Sequence, residues 1–303
     1  MKLINYILLF TVISFSHCSK KIEFIFAGGF AGGTYYKIGE SLSVIKDFKV
    51  TEISTDGSLD NLYKIADHKA DFSISQLDVL QNLAIGDRDL VNKIKILFPI
   101  YGEEVHIVVS KKISSLSELK GKKISIGDSE SGTKFTSLIF LDQFGINNDN
   151  ATLEEVNSAK SLEMLLDGSI DGFILVAGAP VKLLLDLPES ASEKIHLLEF
   201  SKESLQSVRG TNLTYQKSEI PASTYSWEVK PISTIVVQSV MIARADLDEK
   251  IISQFTKSIY KEKEILSTRH EKWKSLNKDT LSNLYKRNPD LFHSSIKTIM
   301  GDL

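Results

Sequence analysis

The sequence predicts an α/β protein of two lobes, each a mostly parallel sheet covered by helices. Three observations lead there. β-prone runs alternate with helix-period runs along most of the chain. A glycine-rich strand-to-helix turn in residues 22–39, IEFIFAGGFAGGTYYKIG, is partly echoed around residue 132. A strongly apolar strand, TIVVQSVMIA at residues 234–243, comes late, long after the first run of strands has ended.

The bulk properties set limits. At 303 residues the chain has room for two domains or one large one. Hydrophobic residues make up 42% and charged residues 25%, ordinary for a globular protein. A net charge of −3 excludes the basic field that nucleic-acid binding needs. One cysteine excludes a disulfide framework and a multi-cysteine metal site.

That cysteine is Cys18. Lys2 gives a positive start, and an apolar run follows to Ser16, too short to span a bilayer comfortably. Residues 1–17 therefore read as a signal peptide, and Cys18 as a lipidation site that would anchor an exported, periplasmic protein. His17 stands where small residues usually precede such a cysteine.

Taken in order, residues 22–26 form the first strand, and a helix begins at Thr34. Residues 48–54 alternate as a second strand. Ser58 caps a helix with Leu59, Leu62, Tyr63, Ile65 and Ala66 at helical spacing. DFSIS at 71–75 is a short strand that ends at Gln76, and another helix follows. Residues 94–101 and 105–110 read as two strands broken at Gly102. Ser115 and Glu118 have capping-box spacing, and 123–127 is a strand. Gly132-Thr133 opens a helix that Gly145 closes. A helix at 158–169, a strand at 172–176 and the run Ala177-Gly178-Ala179-Pro180 come next. Residues 188–220 read as irregular, and 221–231 as a crossing segment. After the late strand, Leu247, Ile251, Ile252, Phe255 and Ile259 mark one face of a helix.

Two landmarks recur in the same order. Gly32-Gly33-Thr34 matches Ser131-Gly132-Thr133, and Asp67…Asp71 matches Asp167…Asp171. A duplication would give two lobes of one design. The expected division is 18–111 for the first part of lobe 1, 112–229 for lobe 2, and 230–303 for the completion of lobe 1 and the C-terminal helices. The crossings would lie near 110–115 and 226–232 and act as a hinge.

Ligands of open parallel sheets sit beyond the carboxyl ends of the strands. Thr34 and Thr133 start helices there, where free N–H groups and the helix dipole favour an anion. Ser75-Gln76 and Ala177-Gly178 would add donors. His106 reads as a core or hinge residue, and Asp128 and Glu130 as either solvated or ligand-amine contacts. Catalytic patterns fail. The dinucleotide glycine spacing is absent, Thr34 stands where a P-loop needs lysine, and no G-x-S-x-G elbow or H-E-x-x-H helix occurs.

AGGFAGGTYYKIG, NLYKIADHKADFSISQLDVL, EEVHIVVSKKISSLSELKGKKISIGDSESGT, DGSIDGFILVAGAP, IPASTY and VMIARADL together resemble the TAXI family of solute receptors, which serve tripartite ATP-independent periplasmic (TRAP) transporters. The resemblance implies a type II periplasmic-binding-protein fold, two α/β lobes joined by two hinge crossings. It implies a small carboxylate ligand, either a glutamate-like amino acid or a 2-oxo dicarboxylate, and a TRAP-type membrane transporter as partner. Carried over, the ligand contacts are Gly33, Thr34, Tyr35, Ser75, Gln76, Ser131, Gly132, Thr133, Ala177 and Gly178. Phe30 and Glu130 depart from the family pattern. No catalytic residue, cofactor, metal or nucleic-acid partner is expected. A ligand sensor, or an enzyme on the same fold, are the alternatives.

Overall fold

The computed structural model describes residues 21–211 and 214–303. The expected signal peptide and Cys18 lie outside the described residues. The first half holds β1 (Ile22–Ala27), α1 (Thr34–Ser41), β2 (Phe48–Ile53), α2 (Ser58–Ala66), β3 (Phe72–Gln76), α3 (Leu77–Gly86), α4 (Arg88–Asn92) and the long strand β4 (Ile94–Ser110). The second holds β5 (Lys123–Ser125), α5 (Gly132–Gln143), β6 (Thr152–Glu154), α6 (Ser158–Asp167), β7 (Gly172–Ala177), α7 (Lys182–Leu185), α8 (Glu189–Ser192), β8 (Ile195–Leu198), α9 (Lys202–Thr211) and β9 (Gln216–Ile220). The chain then returns through β10 (Ile232–Arg244) to α10 (Glu249–Lys261), α11 (Lys263–Arg269), α12 (Lys278–Arg287) and α13 (Ile296–Asp302).

The strands run in the order β2-β1-β3-β10-β4-β7-β5-β6. Read from either end the arrangement is the same. An outer strand is parallel to its neighbour, that neighbour is parallel to the next, and a long antiparallel strand closes the set. The repeat extends to single hydrogen bonds. Asp71 accepts the Ile25 N–H at 2.8 Å, and Asp171 accepts the Lys123 N–H at 2.9 Å. After α2 the Lys64 carbonyl accepts from Lys69 and Ala70; after α6 the Met164 carbonyl accepts from Ser169 and Ile170. The left-handed residue that turns the chain is Gly168 (φ 82°) in one copy and His68 (φ 59°) in the other.

The apolar core changes over inside the long strands. Residues up to Tyr101 and from Val240 onward pack in one core, whereas Val105 and Val237 belong to another. Alternate side chains of β4 enter opposite faces of the second half: Val105, Ile107 and Val109 on one, Val108 on the other. In the first core Phe255 of α10 stacks on Phe72 with ring centroids 4.1 Å apart, as the apolar face of that helix predicts.

Two expectations are corrected. Gly102 does not break a strand: β4 runs through it unbroken, and a Cβ there would lie 2.6 Å from Val236 Cγ2 on β10. Residues 188–220 are not irregular. β8 pairs with β4 and sends Leu197 and Leu198 into different cores, and β9 pairs with β10 and is buried at Ile220. Residues 221–231, the expected crossing segment, are anchored by Tyr225. Tyr225 is fully buried, stacks on Trp227, and shares a 2.8 Å hydrogen bond with His106 Nε2.

Candidate functional site

The carboxyl end of β3 and the adjacent stretch of β4 carry a buried polar cluster. Tyr101 and Glu103 are two apart on β4, so they share a face. Tyr101 donates its hydroxyl to Glu103 Oε1 at 2.7 Å, and Gln76 donates its amide to Glu103 Oε2 at 2.8 Å. Gln76 is fixed in turn, because its N–H donates to Ser58 Oγ at 3.1 Å. Ser75 donates to the Ser58 carbonyl, and Asn61 ties α2 to β3 through the Ile74 carbonyl at 2.7 Å. The Tyr35 hydroxyl is buried without a hydrogen-bond partner, beside Ser58 and Glu103. Burial raises Tyr35 and Tyr101 well above the usual phenol range. It also pushes Glu103 up to about 7, against the lowering effect of the hydrogen bonds from Tyr101 and Gln76 and of the nearby Tyr35 hydroxyl.

The start of α5 meets this cluster from the second half. A Cβ on Gly132 would lie 1.9 Å from Gln76 Oε1 and 2.7 Å from Ser58 Oγ, so only a glycine fits as the halves stand. One turn further on, Thr136 donates to Asp78 Oδ2 at 2.6 Å, and Tyr215 donates to the same oxygen at 2.7 Å. The Leu59 N–H of α2 donates to the Glu130 carbonyl at 3.1 Å, so the contact extends to the rim. There Asp56, Asp60 and Glu130 place one carboxylate oxygen each within 4.8 Å of one another, and Lys64 pairs with Asp60 at 2.8 Å. The halves touch at each of these points. A cavity of about 930 Å³ lies instead beyond Asp78, between α3 and α12, with Gln81, Asn283 and Arg287 on its walls.

On the other side of the Tyr101 ring, Gly178 packs where a Cβ would be 2.9 Å from Tyr101 Cε2 and 3.0 Å from Lys272 Nζ. Lys272 donates to the Ala179 carbonyl at 2.6 Å, with its ammonium 5.8 Å from the Tyr101 ring centroid. Its neighbour Trp273 is buried and donates to Ser41 Oγ, which ties this C-terminal segment to α1. Glu104, on the opposite face of β4 from Glu103, accepts the Ala179 N–H at 2.9 Å.

Of the ten residues expected at the site, Tyr35 and Gly178 pack near the Tyr101 ring, Gln76 bonds Glu103, Gly132 meets Gln76 and Ser58, and Ser75 bonds the Ser58 carbonyl. Ala177 lies opposite Glu104 in the β4–β7 register. Ser131 is the N-cap of α5, accepting the Lys134 N–H at 3.1 Å and donating to the Asp128 carbonyl. Thr133 neither caps that helix nor leaves its acceptor free: its hydroxyl takes the Val176 N–H at 3.2 Å. Gly33 is the N-cap of α1 and Thr34 its first residue, with the exposed Phe30 ring against Gly33. The first helix start thus reaches the cluster through the Tyr35 side chain. His106 is a core residue whose imidazole burial lowers to about 4.

Sequence reasoning missed Ser58, Tyr101, Glu103, Thr136 and Lys272. A signal for Glu103 was present. Two adjacent glutamates inside the apolar run FPIYGEEVHIVV must place one on a covered face, and buried carboxylates are rare unless something holds them.

No helix among the described residues is long and apolar enough to cross a membrane. The NMT1-like family profile matches residues 26–293. Among solved structures, PhnD1 from Prochlorococcus marinus in complex with methylphosphonate superposes with a TM-score of 0.57 at 11% identity, covering 89% of this chain and 98% of that one. A Xanthomonas citri protein bound to chloride ion gives 0.55 at 10%, covering 93% and 99%. The GluR0 ligand-binding core from Nostoc punctiforme in complex with (L)-glutamate gives 0.51 at 15%, covering 82% and 98%. At these identities the likeness shows the fold, which is the type II periplasmic-binding-protein architecture.

Proposed function

Because the chain belongs to the NMT1-like family, we propose that it is an exported solute-binding protein that closes on a small carboxylate and delivers it to a TRAP-type membrane transporter. The observation that carries this reading is the meeting of the α5 start at Gly132 with Gln76 and Ser58, across the line between the two halves. A helix start supplies unpaired N–H groups and a positive dipole end, favouring an anion by roughly 0.3–1 kcal/mol, and about 2 when partly buried. Gln76, Tyr35 and Tyr101 supply neutral donors around it. The TAXI-like motifs support the carboxylate class and the transporter type. The hinge lies where the core changes over, between Tyr101 and Val105 on β4 and between Val237 and Val240 on β10. This proposed hinge differs from the expected crossings near 110–115 and 226–232. Closure about it is proposed to bring Gly132 onto ligand held by the first half.

A thermal-shift panel of L-glutamate, L-glutamine, 2-oxoglutarate and C4 dicarboxylates tests the ligand class. A member present at 100 times its Kd stabilises the protein by about 2.7 kcal/mol. An unchanged melting temperature with every member refutes the carboxylate reading.

A further inference from the structure

Glu103 is a carboxylate in a place that is costly for one. It is 3% exposed on the inner face of β4. Tyr101 and Gln76 each donate to one of its oxygens, and the buried Tyr35 hydroxyl of α1 lies between it and Ser58 without a hydrogen bond. Those are neutral donors. Asp78 on α3 adds a like charge, and no ion pair to Glu103 forms among the described residues. Lys272, beside the Tyr101 ring, is turned to the Ala179 carbonyl. A buried carboxylate that keeps its charge needs a cation or a fuller set of donors. Four lone-pair directions are available on its two oxygens, and only two are taken by the named bonds.

The geometry points to Glu103 as the specificity-determining residue of the site, the group that receives a protonated amine of the ligand. This rests on the carboxylate-binding reading and narrows it: the ligand is an amino acid, and the corresponding 2-oxo acid is discriminated against. The ammonium supplies the missing countercharge. The ligand carboxylate turns away from Glu103, toward the α5 start or Lys272. A 2-oxo acid would set a carbonyl dipole against a carboxylate in a desolvated site, and the mismatch penalises it.

The pH dependence separates this from a site in which a neutral Glu103 shares its proton with a ligand carboxylate. Burial holds the Glu103 carboxyl at about 7, so the unliganded protein is mostly protonated at pH 6 and mostly ionised at pH 8. An ammonium ligand needs the ionised form, whose population rises about tenfold over that interval, and affinity scales with the competent fraction. His106 stays neutral throughout, with its imidazole at about 4.

Isothermal titration calorimetry with L-glutamate and 2-oxoglutarate, at pH 6 and pH 8, is the test. These probes share both carboxylates and differ at the amine. The expected result is an L-glutamate affinity about tenfold tighter at pH 8, no such gain for 2-oxoglutarate, and loss of both the pH slope and the preference in Glu103→Gln. The amide still accepts from Tyr101, and the wild-type profile decides alone if the variant does not fold. An L-glutamate affinity that is flat or falls with pH overturns the inference, as do equal losses of both probes in the variant. In those cases the carboxylate reading stands, because a probe binds. Binding by neither probe at either pH overturns the inference; the wider panel then decides the carboxylate reading on its own.

Discussion

Replacing Gly132 by alanine separates closure from folding. Gly132 is the first residue of α5 and has an ordinary helical backbone, so alanine is accepted by the chain itself. Within the helix the change is neutral or favourable by up to about 1 kcal/mol. Across the seam it is not. The added methyl would lie 1.9 Å from Gln76 Oε1, 2.5 Å from Gln76 Cδ and 2.7 Å from Ser58 Oγ. Gln76 cannot simply swing aside, because its amide is held by Glu103 and its backbone by Ser58, and it is 2% exposed. Overpacking of this kind costs about 1–3 kcal/mol. On the hinge reading the open protein avoids that cost and only the closed, liganded form bears it. Affinity should therefore fall about 5-fold to 150-fold, while the melting temperature of the unliganded protein stays level or rises. Calorimetric titration beside a denaturation scan reads both quantities. Unchanged affinity would show that the seam is not the closure contact. A large loss of unliganded stability would show instead that the two halves form one fixed core.

Two further expectations concern stability. His68→Gly removes a left-handed non-glycine residue (φ 59°) at the place where the other copy has Gly168. The relief of about 1–2 kcal/mol exceeds the added chain entropy of glycine, for a net gain of about 0.5–1 kcal/mol in denaturant unfolding; the exposed His68–Asp246 contact at 3.7 Å adds little to set against it. Glu52 has a buried Oε1 without a partner, and burial, then Glu40, raise its carboxyl to about 8. A carboxyl raised in the folded state stabilises below its unfolded value, and that stabilisation is lost as pH rises through the folded one. The unliganded melting temperature should fall from pH 5 to pH 9, with a shallower fall in Glu52→Gln; equal slopes would refute the assignment.

Much of this arrangement was legible in the sequence, and the reasons are physical. Helical periodicity placed α2 and α10 because each buries one stripe, Leu62 and Ile65 in one and Ile252, Phe255 and Ile259 in the other. The two aspartates that open β3 and β7 were legible as spacing because each accepts an N–H of the first strand in its half. Gly102 misled because a glycine in a strand signals either a break or a close approach, and only the position of Val236 decides between them. Glu103 and Glu104 are adjacent in sequence but point to opposite faces, and which face meets the cleft depends on the partners of β4. Lys272 reaches the site only through the packing of Trp273 against α1, which no local pattern encodes.

The duplication is a repeat of scaffold and not of chemistry. Both copies share strand order, the aspartate lock and a helix after the first strand. At the end of the third strand the first half has Ser75-Gln76, and the second has Leu175-Val176. After the matched threonines Thr34 and Thr133 stand Tyr35 and Lys134, and Lys134 is turned to Glu155 at 2.7 Å. In the second half the N–H of Val176 is already taken by Thr133, whereas in the first half Gln76 and Tyr35 aim side-chain groups at Glu103. The buried polar groups are therefore concentrated in the half that also supplies Tyr101, Glu103 and Lys272. On the proposed reading this sets an order of events. Ligand docks first on the half that holds the fixed donors and acceptor, and the other half closes over it with the start of α5. Substitutions around Glu103 should then act on the first encounter as well as on release, whereas Gly132→Ala, which alters only the closing half, should speed release and leave the encounter rate nearly unchanged.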